Sequence, residues 1–194
     1  MKQVAIIDYG AGNIQSVQFA FERLGVNTVV TSDPSKIQSA SHVIFPGVGH
    51  AKTAKSHLIE TGLIDSIKTL NQPVLGICLG MQLLCNQTEE GLTEGLRIFD
   101  SSVVKFDVDL KVPAVGWAPV KSKNHPLFES LDNEQFYFVH SYYAQVSKQT
   151  IGLADYQISY SAALANENFL GVQFHPERSG KAGEQLLTNF LKLS

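Results

Sequence analysis

Cysteine is scarce in this chain of 194 residues, with only Cys78 and Cys85 present. The two fall on one expected turn and helix, too far apart along it to bridge, which excludes a disulfide scaffold and points to a reducing compartment. Apolar runs are short. None approaches the ~18 residues of a membrane span, and the opening Met1 to Asp8 turns acidic too soon for a signal peptide. No membrane partner is therefore expected, and the expected location is the cytoplasm. Basic clusters are missing as well, and with a net charge of −3 the chain is not expected to bind nucleic acid. His42, His50, His57 and His125 stand at no metal-ligand spacing, so they read as structural or solvated and no metal is expected. Internal repeats, low-complexity segments and linkers are all absent. What remains is 44% hydrophobic residues, enough core for one domain spanning 1–194.

The first half alternates strand and helix patterns. Val4 to Ile7 reads as a buried strand, Asn13 as the cap of a helix with Ile14, Val17, Phe21 and Leu24 on one stripe, and Gly25 as its stop. Asn27 to Thr31 and Val43 to Phe45 read as further strands. Asp33-Pro34 opens a short helix between them. A helical region broken near Gly62 leads to the strand Pro73 to Ile77, and a helix from Leu79 toward Asn86 would hold Cys85 in its interior. Beyond Gly91 short strands are expected around Val103, Val120, Phe136, Ala144, Ala163 and Val172, then a last helix from Ala182 to Leu191. This order predicts an α/β fold, a mostly parallel central sheet covered on both faces, with added antiparallel strands.

Chemistry concentrates in two places. Gly76-Ile77-Cys78-Leu79-Gly80 places a cysteine on a sharp strand-to-helix turn, the nucleophile-elbow pattern with sulfur in place of oxygen. The following helix N-terminus favours thiolate there. Far downstream, Gly171 to Glu177 reads as a strand ending in His175 and a carboxylate. His175 can take and return the thiol proton. Glu177, two residues on in an extended chain, can hold the imidazole. An oxyanion site can draw on the Leu79 N–H and on the loop Pro46-Gly47-Val48-Gly49, which also follows a strand. Gln82, four residues after Cys78, and His140-Ser141-Tyr142 are placed to meet a polar substrate. Together these parts specify acyl transfer through a thioester without naming the substrate. Gly10-Ala11-Gly12 starts like a dinucleotide fingerprint, but Gln15 stands where a glycine would follow. Glu89-Glu90 reads as a solvated loop, and Trp117 fits either the core or an interface.

The motifs resemble those of class I (triad-type) glutamine amidotransferases. Asp8-Tyr9-Gly10-Ala11-Gly12-Asn13, Pro46 to Gly49, Phe138 to Tyr142 and Phe174 to Gly180 bring the chain nearest the glutaminase subunits of imidazole glycerol phosphate synthases. The resemblance implies a three-layer, flavodoxin-like domain that hydrolyses L-glutamine to glutamate and ammonia with Cys78, His175 and Glu177 and without a cofactor. It further implies a heterodimer with a (β/α)8 cyclase subunit, which receives the ammonia to make imidazole glycerol phosphate and an aminoimidazole ribonucleotide for histidine synthesis. Gly10, Asn13, Trp117 and Arg178 would then lie toward that partner. One segment departs from the pattern: where the family usually has Pro-His-x-Gly-Trp-Asn, this chain has Pro113-Ala114-Val115-Gly116-Trp117-Ala118. On the residues alone, service to another synthase (surface-sugar, pyridoxal phosphate or anthranilate type), a silent binding subunit, and a cysteine peptidase or redox sensor remain open alternatives.

Overall fold

A computed structural model of the chain describes residues 3–10 and 13–194. Ala11 and Gly12, the middle of the Gly-Ala-Gly turn, lie outside the described residues. The first half runs β1 (Gln3–Ile7), α1 (Ile14–Arg23), β2 (Asn27–Thr31), α2 (Pro34–Ser39), β3 (His42–Phe45), α3 (Ala51–Glu60), α4 (Leu63–Lys68), β4 (Val74–Ile77) and α5 (Leu79–Leu84). The second half is mainly strand. It comprises β5 (Cys85–Thr88), β6 (Thr93–Glu94), β7 (Phe99–Lys105), β8 (Ala114–Ser122), β9 (Glu134–His140), β10 (Tyr142–Ala144), β11 (Thr150–Asp155), β12 (Ser159–Asn166) and β13 (Phe169–Val172), before α6 (Gly180–Lys192).

Strands β2, β1, β3, β4 and β13 form a parallel block in that spatial order. β12, β10 and β7 continue the sheet antiparallel, and an arm of β11, β8 and β9 branches from β12. Alternation along each parallel strand sorts its side chains to two faces. Val4, Ile6, Ile44, Leu75 and Val172 pack with Val17 and Phe21 of α1 and Leu186, Leu187 and Phe190 of α6. Ala5, Ile7, Val43, Phe45 and Val74 pack with Ile37, Leu58, Leu63, Ile67 and Leu84 from α2 to α5. The result is the three-layer arrangement expected from the alternation of elements. Asp33 caps α2 as expected, accepting from the Ser35 N–H at 2.9 Å. Asn13 occupies the cap position of α1 but makes no side-chain cap bond.

The structure corrects several local expectations. Helix α5 stops at Leu84, so Cys85 begins strand β5 rather than lying inside a helix. A passing segment ends the helix by taking its last carbonyls: Leu96 N–H donates to Leu83 O at 2.7 Å and Ile98 N–H to Leu84 O at 2.9 Å. Strands β5, β6 and β11 had no sequence signal. β13 ends at Val172, three residues short of His175, and Pro176–Arg178 form a 3₁₀ turn.

The carboxyl ends of β3, β4 and β13 meet at one edge of the sheet, where parallel α/β folds place ligands. Two loops there are in backbone contact. A methyl group at Gly80 would lie 2.0 Å from the Phe45 carbonyl oxygen, and one at Gly47 would lie 2.5 Å from the Gly80 nitrogen. The Cys78 turn is thereby seated directly under the loop after β3. Because the obstacle is backbone, Gly80→Ala is expected to cost about 2–3 kcal/mol. It should lower the melting temperature by roughly 4–12 °C in a thermal denaturation scan.

Candidate active site

Cys78 itself carries the strain of the elbow: its φ is 52°, in the left-handed region that non-glycine residues avoid. Its N–H donates to Val172 O at 2.8 Å, tying the end of β4 to the end of β13. His175 is fixed through β9. Its N–H donates to Tyr137 O at 2.9 Å, its carbonyl accepts from Ser179 Oγ at 2.6 Å, and Ser179 Oγ accepts from Tyr137 N–H at 3.0 Å. The imidazole lies between Cys78, to which it is electrostatically coupled, and Glu177. His175 Nδ1 lies 2.8 Å from Glu177 Oε1. Glu177 reaches it around the 3₁₀ turn begun by Pro176 rather than along an extended strand. Burial alone would lower the His175 pKa, but hydrogen bonds to Cys78 and Glu177 and the negative charges of both outweigh it, raising the imidazole to about 10.

A cavity of about 520 Å³ opens onto this pair, within the usual range for a small-molecule site. Cys78, His175, Val48, Gly49, Leu79, Gln82, His140, Ser141 and Tyr142 all line it, as do Asn13 and Arg178. Gly49 has a φ of 97° with open space around the missing side chain, so this peptide has the freedom to reorient. Gly47 does not line the cavity; it is the packing contact under the loop. Glu177 stands behind His175, with 1% of its side chain exposed. Trp117 is surface rather than core: it is 56% exposed on β8, edge-on to Tyr137. Gly10 is exposed, with its N–H on Asp8 Oδ1. Arg178 stacks over the Tyr137 ring with 5.9 Å to the centroid. Ala114 is buried, whereas Ala118 is partly exposed beside Trp117.

Three other residues at the site had no role assigned from sequence. Glu90 is not a solvated loop residue: it lines the cavity, and its Oε2 accepts from Ala51 N–H at the start of α3 at 2.8 Å. Tyr9 is buried with its hydroxyl on Pro46 O at 2.8 Å, and burial, then charge at Cys78, push its pKa up. Gln173 is fully buried between His175 and the strand end. Cys85 is buried without a partner carboxylate or imidazole, and desolvation holds its thiol well above the usual range. His50 and His125 turn out to be caps, each accepting a backbone N–H through Nδ1. Among the described residues no cluster of three or more His, Cys, Asp or Glu side chains could hold a metal, and no helix is long and apolar enough to cross a membrane.

A nucleophile, an imidazole with its own carboxylate and backbone N–H groups around one cavity can open an amide through an acyl-sulfur intermediate. Comparison with known proteins gives the family. The model of the class-I glutamine amidotransferase family matches residues 5–193. An imidazole glycerol phosphate synthase subunit HisH from Bacteroides thetaiotaomicron is 51% identical, covering 98% of this chain and all of its own length. The subunit of the same name from Haemophilus influenzae is 48% identical over 99% of this chain and 98% of its own. Among solved structures, one of a glutamine amidotransferase superposes with a TM-score of 0.76. It does so at 17% identity, covering 97% of this chain and 97% of its own, and so supports the fold. The chain belongs to the class-I glutamine amidotransferase family, in the group of imidazole glycerol phosphate synthase HisH subunits.

Proposed function

We propose that the chain is the glutaminase subunit of an imidazole glycerol phosphate synthase, one domain over residues 1–194, and that it hydrolyses L-glutamine at the Cys78 cavity. The observation that carries this reading is the convergence of Cys78, His175 and Glu177 at the ends of two neighbouring parallel strands. The Cys78 sulfur attacks the side-chain amide carbon of glutamine. Backbone N–H groups of Leu79 and of the Val48-Gly49 loop hold the developing oxyanion. The C–N bond breaks as His175 gives its proton to the departing ammonia. A water then adds to the thioester while His175 takes its proton, and the C–S bond breaks to release glutamate and the thiolate. Glu177 orients the imidazole and stabilises its cationic form. Gln82, His140, Ser141 and Tyr142 hold the amino-acid end of the substrate.

The ammonia goes to a (β/α)8 cyclase subunit docked on the side bearing Gly10, Asn13, Trp117 and Arg178. The exposed Trp117 and Val115 on β8 support such a contact. At Ala118 that surface is less polar than the family pattern, whereas Ala114 is buried beneath it.

Three outcomes follow from this reading. Cys78→Ser should abolish glutamine hydrolysis while the assembled synthase still uses added ammonium, and a glutamine-like diazoketone should label Cys78 and spare Cys85. Peptide mass mapping and the two activity assays check this.

Glu177→Gln removes one of the two negative charges that raise His175, the other being Cys78, so the imidazolium is lost at lower pH. The alkaline limb of the kcat/KM profile, expected in the native chain where His175, raised to about 10, loses its proton, should move toward neutrality. The maximal rate should fall roughly 10²–10⁴-fold. An unchanged limb would remove Glu177 from the triad.

Cyclase plus its ribonucleotide ligand should raise glutaminase kcat at least about tenfold, since one properly turned oxyanion donor is worth about 10²–10³ in rate. Gly49→Ala, strained at a φ of 97°, should blunt that rise. Steady-state assays with and without the partner measure both effects.

A further inference from the structure

We propose that Gln173 is a donor to the Cys78 sulfur, held in that orientation by a one-way chain of amides anchored on the Tyr142 carbonyl. The proposal rests on reading Cys78 as the nucleophile. Gln173 is wholly buried at the exit of β13, and its side-chain Nε2 lies 3.7 Å from Cys78 Sγ. The oxygen and nitrogen of an amide side chain are alike in shape, so partners must decide which faces which. Here they do. The Tyr142 carbonyl can only accept, and it lies 2.9 Å from the Gln82 side-chain amide, so the Gln82 atom there is Nε2. The same Nε2 lies 2.9 Å from the Gln173 amide, which must therefore present Oε1 to it. Only the Gln173 NH₂ is left to face the sulfur. His140 Nδ1 also donates to Tyr142 O, at 2.8 Å, and fills its remaining acceptor capacity.

The chain thus delivers an N–H to sulfur and cannot turn to accept a thiol proton. A donor that cannot reverse favours the charged nucleophile over the neutral one. The other groups facing the sulfur have different tasks. His175, backed by Glu177, exchanges the proton. Tyr9 has already given its hydroxyl hydrogen to Pro46 O. Arg178 reaches the same cavity from its exposed side. An apolar residue at 173 would be less costly to bury between Val172 and Phe174 than an amide. The amide's two polar contacts, Gln82 and the sulfur, are therefore its function.

The test is the pH dependence of Cys78 alkylation by iodoacetamide in the full chain, followed by peptide mass from about pH 5 to pH 10. Gln173→Glu keeps an acceptor for Gln82 and replaces the donor with a repelling oxygen. Its midpoint should rise by about one unit or more, with alkylation on the acid side of the midpoint about tenfold slower. Gln173→Met, of similar length and uncharged, should shift the midpoint the same way by less, and it decides the matter alone if Gln173→Glu does not fold. With the cyclase partner present, both should lose glutaminase kcat more than they raise KM. Wild-type midpoints in both variants, even with slower alkylation at every pH, would show that Gln173 only packs. Alkylation of Cys85 with Cys78 untouched in the unaltered chain would instead sink the nucleophile assignment.

Discussion

The active edge of this molecule depends on one close approach, the Phe45 carbonyl against Gly80. It brings the end of β3 down onto the first turn of α5, so that Gly47 of the following loop packs against Leu79 and Gly80, beside the Cys78 turn. The contact confines the turn that carries Cys78 in its left-handed backbone. A strained backbone persists only where its surroundings over-determine it. Here the surroundings are a carbonyl from one side and the Val172 hydrogen bond from the other. The loop after β3 and the Cys78 turn are consequently placed by the same packing event.

Around that fixed sulfur the protein arranges two kinds of support. One is ionic: His175 and Glu177, both out of water, with the imidazole's charge favoured by the groups it touches. The other is dipolar: side-chain amides whose direction is dictated by a backbone carbonyl. Burial makes each stronger than it would be in solvent, and it makes unpaired atoms costly. His140 Nε2 and Glu177 Oε2 are such atoms, buried without partners. His140 is correspondingly held neutral, its pKa pushed down to about 4 by desolvation. A neutral ring beside His175 spares the imidazolium a like-charged neighbour.

The parallel half of the fold was legible because its signals are local. Asp33-Pro34, Gly25 and the apolar runs at β1, β3 and β4 act within a few residues of themselves. The Gly-x-Cys-x-Gly turn and the His-Pro-Glu run were legible for the same reason. What escaped is set by partners distant in sequence. Helix α5 ends early because Leu96 and Ile98 compete for its carbonyls, and nothing near Leu84 announces them. Strand β5 reads Cys-Asn-Gln-Thr, with no alternation strong enough to mark it. Glu90 looks like a loop charge until α3 is brought to it. The contact between Glu177 and His175 was expected for the wrong reason, since Pro176 bends the chain and a turn, not a strand, closes the distance. Gln173 sat in plain view in the His-Pro-Glu run, but its purpose appears only when β13 lies beside β4.

That same pairing sets when the molecule becomes competent. β13 is the last strand in the chain, yet it occupies an inner place in the sheet, between β4 and β12. On a ribosome, β4 and its cysteine emerge long before the segment that completes them, and such distant parallel pairings form late. Until β13 inserts, Cys78 has no imidazole, no carboxylate behind it and no amide beside it. A partly synthesised or truncated chain therefore holds an ordinary thiol, and no glutamine is spent before the sheet has closed.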